Sequence, residues 1–325
     1  MARFNYDQIC QDLIKDLSSK QKEIILRRFA LQGGKRETLE AIGKDLGITR
    51  ERVRQIKEGG MSQIRPKIKN YQGVFRYLKT YFQKFGGLKN EKDAFCDLAG
   101  DKWQNQIYFL LNLDGGFERF RENKNFWTFW AADKDGLNKA KEAVDLLYKK
   151  IQQIGKPLFL KEVAAIAPVK GLVLEAYLGI SKKILKNKEG LFGLKIWPEI
   201  NPRGVKDKAY LVFKKEQKPL HFRDLSQMIE GSLVQTVHNE LIRDSRFVLV
   251  GRGIYALQEW GYKPGQVKDV IQNILKEEGR PLAKDEIIGK VLKQRMVAQN
   301  TILLNLGDKD CFQKDSQGKY WVRES

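Results

Sequence analysis

Five polar side chains within six consecutive positions could form hydrogen bonds with the edges of DNA bases. They are Arg50, Glu51, Arg52, Arg54 and Gln55. On a helix, residues four positions apart lie on one face, so Arg50 and Arg54 are neighbours, and Glu51 and Gln55 form a second such pair. Arginine can bind O6 and N7 of guanine, glutamate can accept a hydrogen bond from cytosine N4, and glutamine can pair with adenine. These residue types at this spacing predict a helix that recognises bases in a DNA major groove.

The residues around this segment predict a helix-turn-helix. Thr38 and Thr49 are each placed to cap a short amphipathic helix, and Gly47 makes the turn between the two helices. The inward positions of both helices are apolar: Leu39, Ile42, Leu46, Val53 and Ile56. Thr38 and Thr49 are also among the candidate DNA contacts. A surface helix with Arg–Glu ion pairs is the alternative that the charged residues alone leave open.

The charge balance of the chain favours a polyanionic partner. Among 325 residues, Lys and Arg number 60 and Asp and Glu number 40, which gives a net charge of +20. Because 42% of the residues are hydrophobic, the chain can bury cores, and nucleic acid is the first candidate partner of such a folded basic protein. An anionic membrane surface is the rival, but no apolar run approaches spanning length. We expect no membrane partner and, without the apolar segment of a signal peptide, a cytoplasmic location.

The sequence offers little for catalysis. Cys10, Cys96 and Cys311 are far apart and odd in number, which argues against a disulfide framework and against a zinc cluster. His221 and His238 are the only histidines. We find no phosphate-binding loop, no nucleophile supported by a histidine and no convincing carboxylate cluster. We therefore expect no enzyme activity, no metal, no cofactor and no small-molecule substrate.

A repeat runs through the rest of the chain. Pro157, Pro219 and Pro281 each begin the same Pro-Leu pattern at equal intervals. A helical stretch follows each proline, and each copy ends in a strand pair, seen best at residues 247–250 and 254–257. A fainter copy comes before them. Residues 208–215, which precede the second proline, are short and could form a strand.

Three helices followed by a β-hairpin are the plan of a winged helix, a relative of the helix-turn-helix. The predicted fold is mainly α with small β-hairpin wings. It comprises an N-terminal helix-turn-helix domain at residues 1–70 and tandem winged-helix modules at residues 71–135, 136–200, 201–263 and 264–325.

Residues 17–31 (LSSKQKEIILRRFAL), followed by residues 38–56, closely resemble region four of the sigma-70 family of bacterial RNA polymerase factors. The resemblance implies a module that recognises the promoter −35 element and binds the β flap of the RNA polymerase core. It also implies that Arg50, Glu51 and Gln55 contact bases. Arg52 and Arg54 would mainly contact the DNA backbone.

The sequence departs from that family in two respects. Members usually continue with a basic, alanine-rich helix, whereas this chain continues with Glu58-Gly59-Gly60-Met61. Because glycine costs about 1 kcal/mol in a helix interior, we expect a shortened last helix. Nothing in the chain resembles the family's region two, which opens the −10 element. We therefore expect a protein that does not melt a promoter alone.

Residues 219–262 resemble the HARE-type winged helix, which occurs in the delta subunit of RNA polymerase, in restriction enzymes and in chromatin proteins. The resemblance implies DNA binding or bridging to DNA-acting machinery. The candidate contacts on this copy are His238, Asn239, Arg243, Arg246 and Arg252. The alternative for His238 is an ordinary surface or half-buried position on a helix, without contact to DNA. On the preceding copy, Lys182 and Lys183 belong to a basic face, for which a solvated lysine face is the alternative.

These observations favour a sequence-specific transcription factor related to RNA polymerase sigma factors. Its expected partners are double-stranded DNA and the RNA polymerase core, and its expected location is the bacterial cytoplasm, associated with the nucleoid. Two alternatives stay open. One is a delta-like polymerase subunit that acts through protein contacts, and the other is a DNA-recognition or scaffold subunit of a restriction or repair system.

Overall fold

The computed structural model describes residues 4–323 and forms two compact units, Met1–Lys195 and Ile196–Ser325. The predicted domain ends at residues 1 and 325 lie outside the described residues. The elements of the first unit are α1 (Tyr6–Ile14), α2 (Ser19–Phe29), α3 (Leu39–Asp45), α4 (Arg50–Ile64), a 3-10 helix (Arg65–Tyr71), α5 (Gln72–Lys84), β1 (Leu88–Asn90), α6 (Glu91–Ala99), α7 (Gln104–Leu113), β2 (Glu118–Phe120), β3 (Phe129–Ala131), α8 (Lys134–Ile154), α9 (Leu160–Ile166), α10 (Gly171–Ile180), β4 (Ile184–Lys186) and β5 (Phe192–Leu194).

The second unit has the same kinds of element. They are α11 (Gly204–Glu216), β6 (Leu220–His221), α12 (Phe222–Met228), α13 (Val234–Arg243), β7 (Phe247–Gly251), β8 (Ile254–Leu257), a 3-10 helix (Gln258–Trp260), α14 (Val267–Glu278), α15 (Lys284–Leu292), α16 (Gln299–Leu306), β9 (Phe312–Lys314) and β10 (Tyr320–Val322). The fold is therefore mainly helical with small antiparallel sheets, as predicted.

The predicted helix-turn-helix is present, and local hydrogen bonds define its ends. The Thr38 hydroxyl accepts from the Ala41 backbone N–H at 3.1 Å, and the Thr49 hydroxyl accepts from that of Arg52 at 3.2 Å. Gly47 adopts a φ of +64° in the turn, where a side chain would be strained. Ile24, Ile42 and Val53 form the small core between α2, α3 and α4. Both predicted caps and the predicted turn are confirmed.

After α4 the same order of elements occurs four times. A helix leads to a first strand or single bridge, then to two helices, then to two strands. In the first and third copies the first strand lies beside the last, so the sheet orders are β1-β3-β2 and β6-β8-β7. In the second and fourth copies, single antiparallel bridges from Leu158 to Phe192 and from Leu282 to Tyr320 take the place of that strand. The possible strand at residues 208–215 was wrong, because these residues belong to α11.

The expectation of a shortened recognition helix was also wrong, since α4 runs through Gly59 and Gly60 to Ile64. Gly60 is buried where α4 crosses α2. A Cβ at this position would lie 2.9 Å from Cδ1 of Ile25 and 3.5 Å from Cβ of Gln21. Packing against α2 therefore stabilises the helix where its own sequence does not, since tertiary contacts supply most helical stability in proteins.

This arrangement predicts opposite effects for the two adjacent glycines. Gly59→Ala should raise the free energy of unfolding by about 1 kcal/mol, because Gly59 is exposed and its nearest atom, Nε2 of Gln21, lies 3.7 Å from the Cβ position. Gly60→Leu should lower it by about 1–3 kcal/mol through overpacking against Ile25. Urea unfolding of both variants measures the difference. Two shifts of the same sign would contradict the close approach of α2 and α4.

The core of the first unit continues across residue 70. Leu13 of α1, Phe29 of α2, Leu78 of α5 and Leu110 of α7 belong to one buried cluster, together with Trp130 of β3. The helix-turn-helix and the first copy therefore share a core on either side of the predicted boundary. The division of the chain into five modules stays a prediction. In the second unit, the third and fourth copies have separate buried clusters.

Candidate nucleic-acid interface

The outward face of α4 carries every residue that the sequence placed there. Arg50, Glu51, Arg52, Arg54 and Gln55 are all exposed. Val53, on the opposite side, is fully buried against α2 and α3 and fixes the rotation of α4 about its own axis. A close backbone contact fixes its angle to α3, because a Cβ on Gly43 would lie 2.7 Å from the Ile48 carbonyl oxygen. The recognition side chains therefore extend from a rigid support.

The charged groups on this face are paired with one another. The guanidinium of Arg54 donates to both carboxylate oxygens of Glu51, at distances of 2.7–3.1 Å. Hydrogen bonding to Arg54 holds the pKa of Glu51 below its ordinary value, while slight desolvation acts in the opposite direction. Arg52 donates to Oε1 of Gln55 at 3.2 Å. Exposed pairs of this kind contribute little to stability, so DNA groups could replace them at little cost.

Residues outside the predicted set hold the helix-turn-helix together. The guanidinium of Arg27 on α2 binds Glu37 at 2.8 and 2.9 Å and Asp45 at 2.7 Å. It thereby ties α2 to the segment before α3 and to the end of α3. Sequence analysis missed this positioning role, because Glu37 and Asp45 lie 10 and 18 residues away from Arg27 and follow no helical spacing.

The third helix of the first copy, α7, packs on the same domain. Nδ2 of Asn105 donates to the Ala30 carbonyl at 3.1 Å, and Nε2 of the buried Gln106 donates to the Leu31 carbonyl at 3.3 Å. The Arg36 guanidinium lies 4.0 Å from the centre of the Tyr108 ring. The loop between α2 and α3 is therefore held by α7. This face of α7 is occupied within the chain.

Lys182 and Lys183 lie next to carboxylates. Lys182 forms an ion pair with Glu122 and lies over the Trp127 ring, 4.3 Å from its centre. Lys183 binds Asp145 at 2.8 Å. Both lysines follow α10, which packs on the first copy: the Ile180 carbonyl accepts from the Trp127 backbone N–H at 2.8 Å. DNA contact by these two lysines stays a prediction, and it would require them to exchange their present partners.

The candidate residues of the third copy occupy different environments. Arg243, at the end of α13, and Arg252, in the β7–β8 turn, are exposed. His238 is half-buried and stacked on Phe222, with ring centres 4.3 Å apart. Arg246 is half-buried and binds Asp207 at 2.9 Å and Asp244 at 2.7 Å. Arg243 and Arg252 are therefore better placed to meet a ligand than His238 and Arg246 are.

The Arg246 cluster predicts a pH dependence. Hydrogen bonds from Arg246 hold the pKa of Asp244 below its ordinary value. A carboxylate with a lowered folded-state pKa stabilises the fold above its unfolded pKa, and this contribution disappears as the pH falls through the folded-state pKa. Arg246→Met should therefore lower the free energy of unfolding most at neutral pH and least below about pH 4. Urea unfolding at neutral pH and below about pH 4 measures this difference. If the variant lost the same free energy of unfolding at both pH values, the Arg246–Asp244 pair would not be the source of the pH dependence.

No group of three or more His, Cys, Asp or Glu residues within 4–323 could hold a metal ion. In the same part of the chain, no single helix is long and apolar enough to cross a bilayer. Only α9 and α10 together meet the length and composition, as a pair bent by 102°.

Comparison with known proteins places the helix-turn-helix in a family. Residues 13–66 match the family model for Sigma-70, region 4. The RNA polymerase sigma factor RpoS of Coxiella burnetii is 42% identical over 52 residues, which cover 16% of this chain and 15% of that protein. The RNA polymerase sigma-C factor of a Nostoc species is 43% identical over 71 residues, which cover 22% and 17%. The chain thus spans under a fifth of the length of these relatives. These similarities support a DNA-binding role related to that of sigma factors. Residues 13–66 are a helix-turn-helix domain of the Sigma-70 region 4 type.

Proposed function

We propose that the protein is a sequence-specific DNA-binding transcription factor related to sigma factors. One observation carries the proposal. The region 4 domain presents arginine, glutamate and glutamine side chains on the open face of a rigidly held helix. The net charge of +20 adds the electrostatic attraction that draws a protein to duplex DNA.

In this proposal α4 lies in the major groove with its first turn towards the bases. Arg50 binds guanine and Gln55 binds adenine, while Glu51 accepts from cytosine after Arg54 releases it. Arg52 and Arg54 bind phosphates. Thr38 and Thr49 cap α3 and α4, and the N-termini of helices favour phosphate because their backbone N–H groups point outwards.

We further propose the RNA polymerase core as a protein partner. The similar proteins are named as RNA polymerase sigma factors, and the β flap is the polymerase element that the region four resemblance implies. A polymerase contact must use a surface other than the apolar side of α1 and α2, since this side shares a core with α5 and α7. Such a protein would act in the bacterial cytoplasm, associated with the nucleoid.

We interpret the four repeated copies as winged-helix modules, with the third of the HARE type. The packing of α7 on the helix-turn-helix, and of α10 on the first copy, supports a scaffolding role for the first two modules. A scaffold or DNA-recognition subunit of a restriction or repair system would share this architecture. It would differ by having no affinity for polymerase.

Two measurements on the full-length protein test the proposal. Selection from a randomised duplex library should enrich a defined sequence, and the purified chain should capture core RNA polymerase. Enrichment without polymerase capture would favour the restriction or repair scaffold. Capture without enrichment would favour a delta-like accessory subunit. If the protein showed neither enrichment nor capture, the proposed function would be overturned.

A further inference from the structure

The third helices of the four copies differ in what covers them. Residues of α7 and α10 bind neighbouring elements of the first unit, as described above. The helix α16 is open, since Leu304 is 79% exposed, but its sequence QNTILLNL contains no charged residue. The helix α13 combines an open face with arginine, so it is the third helix most suited to DNA.

The open face of α13 carries side chains that suit A·T base pairs. Gln235, Asn239 and Ile242 follow at spacings of four and three and are exposed, with Thr236 and Arg243 beside them. The one carboxylate of the helix, Glu240, is half-buried at the edge of this face, four residues after Thr236 and three before Arg243. Amides, a hydroxyl, an arginine and an apolar group are the types that contact base edges and phosphates.

The two amides are arranged as a unit. Nε2 of Gln235 donates to Oδ1 of Asn239 at 3.2 Å. This bond leaves Oε1 of Gln235 as an acceptor and Nδ2 of Asn239 as a donor on two exposed side chains. Adenine presents the complementary pair in the major groove, because its N6 amino group donates and its N7 accepts. One helical turn further, the 63% exposed Ile242 is placed to contact a thymine methyl group.

Aromatic rings connect α13 to the β7–β8 hairpin. His238 of α13 stacks on Phe222, and Phe222 packs on His221 with ring centres 4.6 Å apart. His221 lies directly against the hairpin, since a Cβ on Gly253 would be 2.5 Å from its Nε2. The exposed Arg252 is next to that glycine. The rings therefore connect α13 to the hairpin turn that carries Arg252.

We propose that α13 is a second DNA-recognition helix, which contacts A·T base pairs in the major groove. The chain then contains two DNA-recognition helices, α4 and α13, each of which recognises its own sequence element. Gln235 and Asn239 bind adenine, Ile242 contacts thymine, and Arg243 and Arg252 bind phosphates. The inference rests on the proposed function only in requiring that the chain binds duplex DNA.

Library selection with matched variants of the full-length protein tests this inference. The wild-type chain should enrich two sequence elements, one of them containing A·T pairs. Gln235→Ala with Asn239→Ala should lose that element alone, with about 5- to 100-fold weaker binding to the selected duplex. Gln299→Ala with Asn300→Ala is the control, because it removes the same residue types from exposed positions of α16. Both elements should survive in the control.

A base analogue tests the thymine contact separately. Replacing thymine by uracil in the A·T element removes only the C5 methyl group, and wild-type binding should weaken about 3- to 5-fold. Ile242→Ala should bind both duplexes equally.

Three results would overturn the inference. A single enriched element that survives in the α13 variant would refute the second recognition helix and leave the proposed function intact. Unchanged DNA selection by this variant, with loss of a protein that the wild type captures, would assign the face to a protein partner, for which the exposed Leu233 and Val234 provide apolar surface. No enrichment by any form would refute both proposals.

Discussion

Replacing Arg50 and Gln55 together with alanine is expected to remove most of the sequence discrimination by the region 4 domain. Each bidentate contact to a base contributes about 1–3 kcal/mol, so the preference for the selected duplex over a scrambled one should fall by about 30- to 20,000-fold. Binding to any duplex should persist, because the other basic side chains still neutralise phosphates. Both residues are exposed, so the fold should be unaffected.

Competition mobility shift at fixed salt concentration measures this preference directly. Gln72→Ala with Arg76→Ala is a matched control, since it removes an exposed glutamine and an exposed arginine four residues apart on α5. The control should retain full discrimination and lose only a little affinity. Base recognition by α4 would be wrong if the double variant on α4 discriminated as well as the wild type. An equal loss in both variants would point to a general charge effect.

The features that the sequence predicted correctly depend on neighbours a few residues apart. Thr38 and Thr49 cap their helices through bonds to backbone groups three residues away, and Gly47 turns the chain through its own φ. The helical spacing of Arg50 and Arg54 is equally local. Such features follow from backbone geometry, whatever the rest of the fold does.

The features that the sequence did not predict depend on distant contacts. Gly60 continues a helix because α2 crosses α4 at that position, and Glu122 is 60 residues away from its partner Lys182. His238 was a candidate DNA contact, and its stacking on Phe222 arises from the packing of α12 against α13. The packing of α7 on the helix-turn-helix was likewise absent from the sequence pattern. Each of these contacts joins segments whose proximity is set by the tertiary fold.

Arg295→Met is expected to be among the most destabilising single substitutions in the second unit. Arg295 is 3% exposed. Its guanidinium donates to three backbone carbonyls: those of Lys263 at 2.6 Å, Gly265 at 3.0 Å and Gln294 at 2.8 Å. Burial lowers its pKa, with a smaller opposing effect of Asp269. The carbonyls of Lys263 and Gly265 belong to the segment between the third and fourth copies. The Arg295 side chain therefore joins this segment to the loop between α15 and α16.

The adjacent residue shows what this side chain holds in place. The Met296 backbone N–H donates to the Val250 carbonyl at 2.6 Å. This bond joins the loop between α15 and α16 to strand β7 of the third copy. Methionine fills a similar volume but donates no hydrogen bond, so carbonyls of the linking segment would lose their partners. An unsatisfied buried polar group costs about 1–3 kcal/mol, and we expect Arg295→Met to lower the free energy of unfolding by about 3–5 kcal/mol.

Urea unfolding of the full-length protein measures this loss of free energy, with the unfolding transition of the second unit as the signal. Arg280→Met is the matched control, since Arg280 is an exposed arginine of the fourth copy that binds Glu286 at 3.3 Å and Glu278 at 3.8 Å. Surface pairs of this kind contribute little to stability, so the free energy of unfolding of the control should change little. Arg295→Lys should lie between the two, because an ammonium keeps the charge but cannot match the planar fork that binds carbonyls in two directions. If Arg295→Met unfolded like Arg280→Met, the link between the third and fourth copies would depend on apolar packing instead of these three bonds.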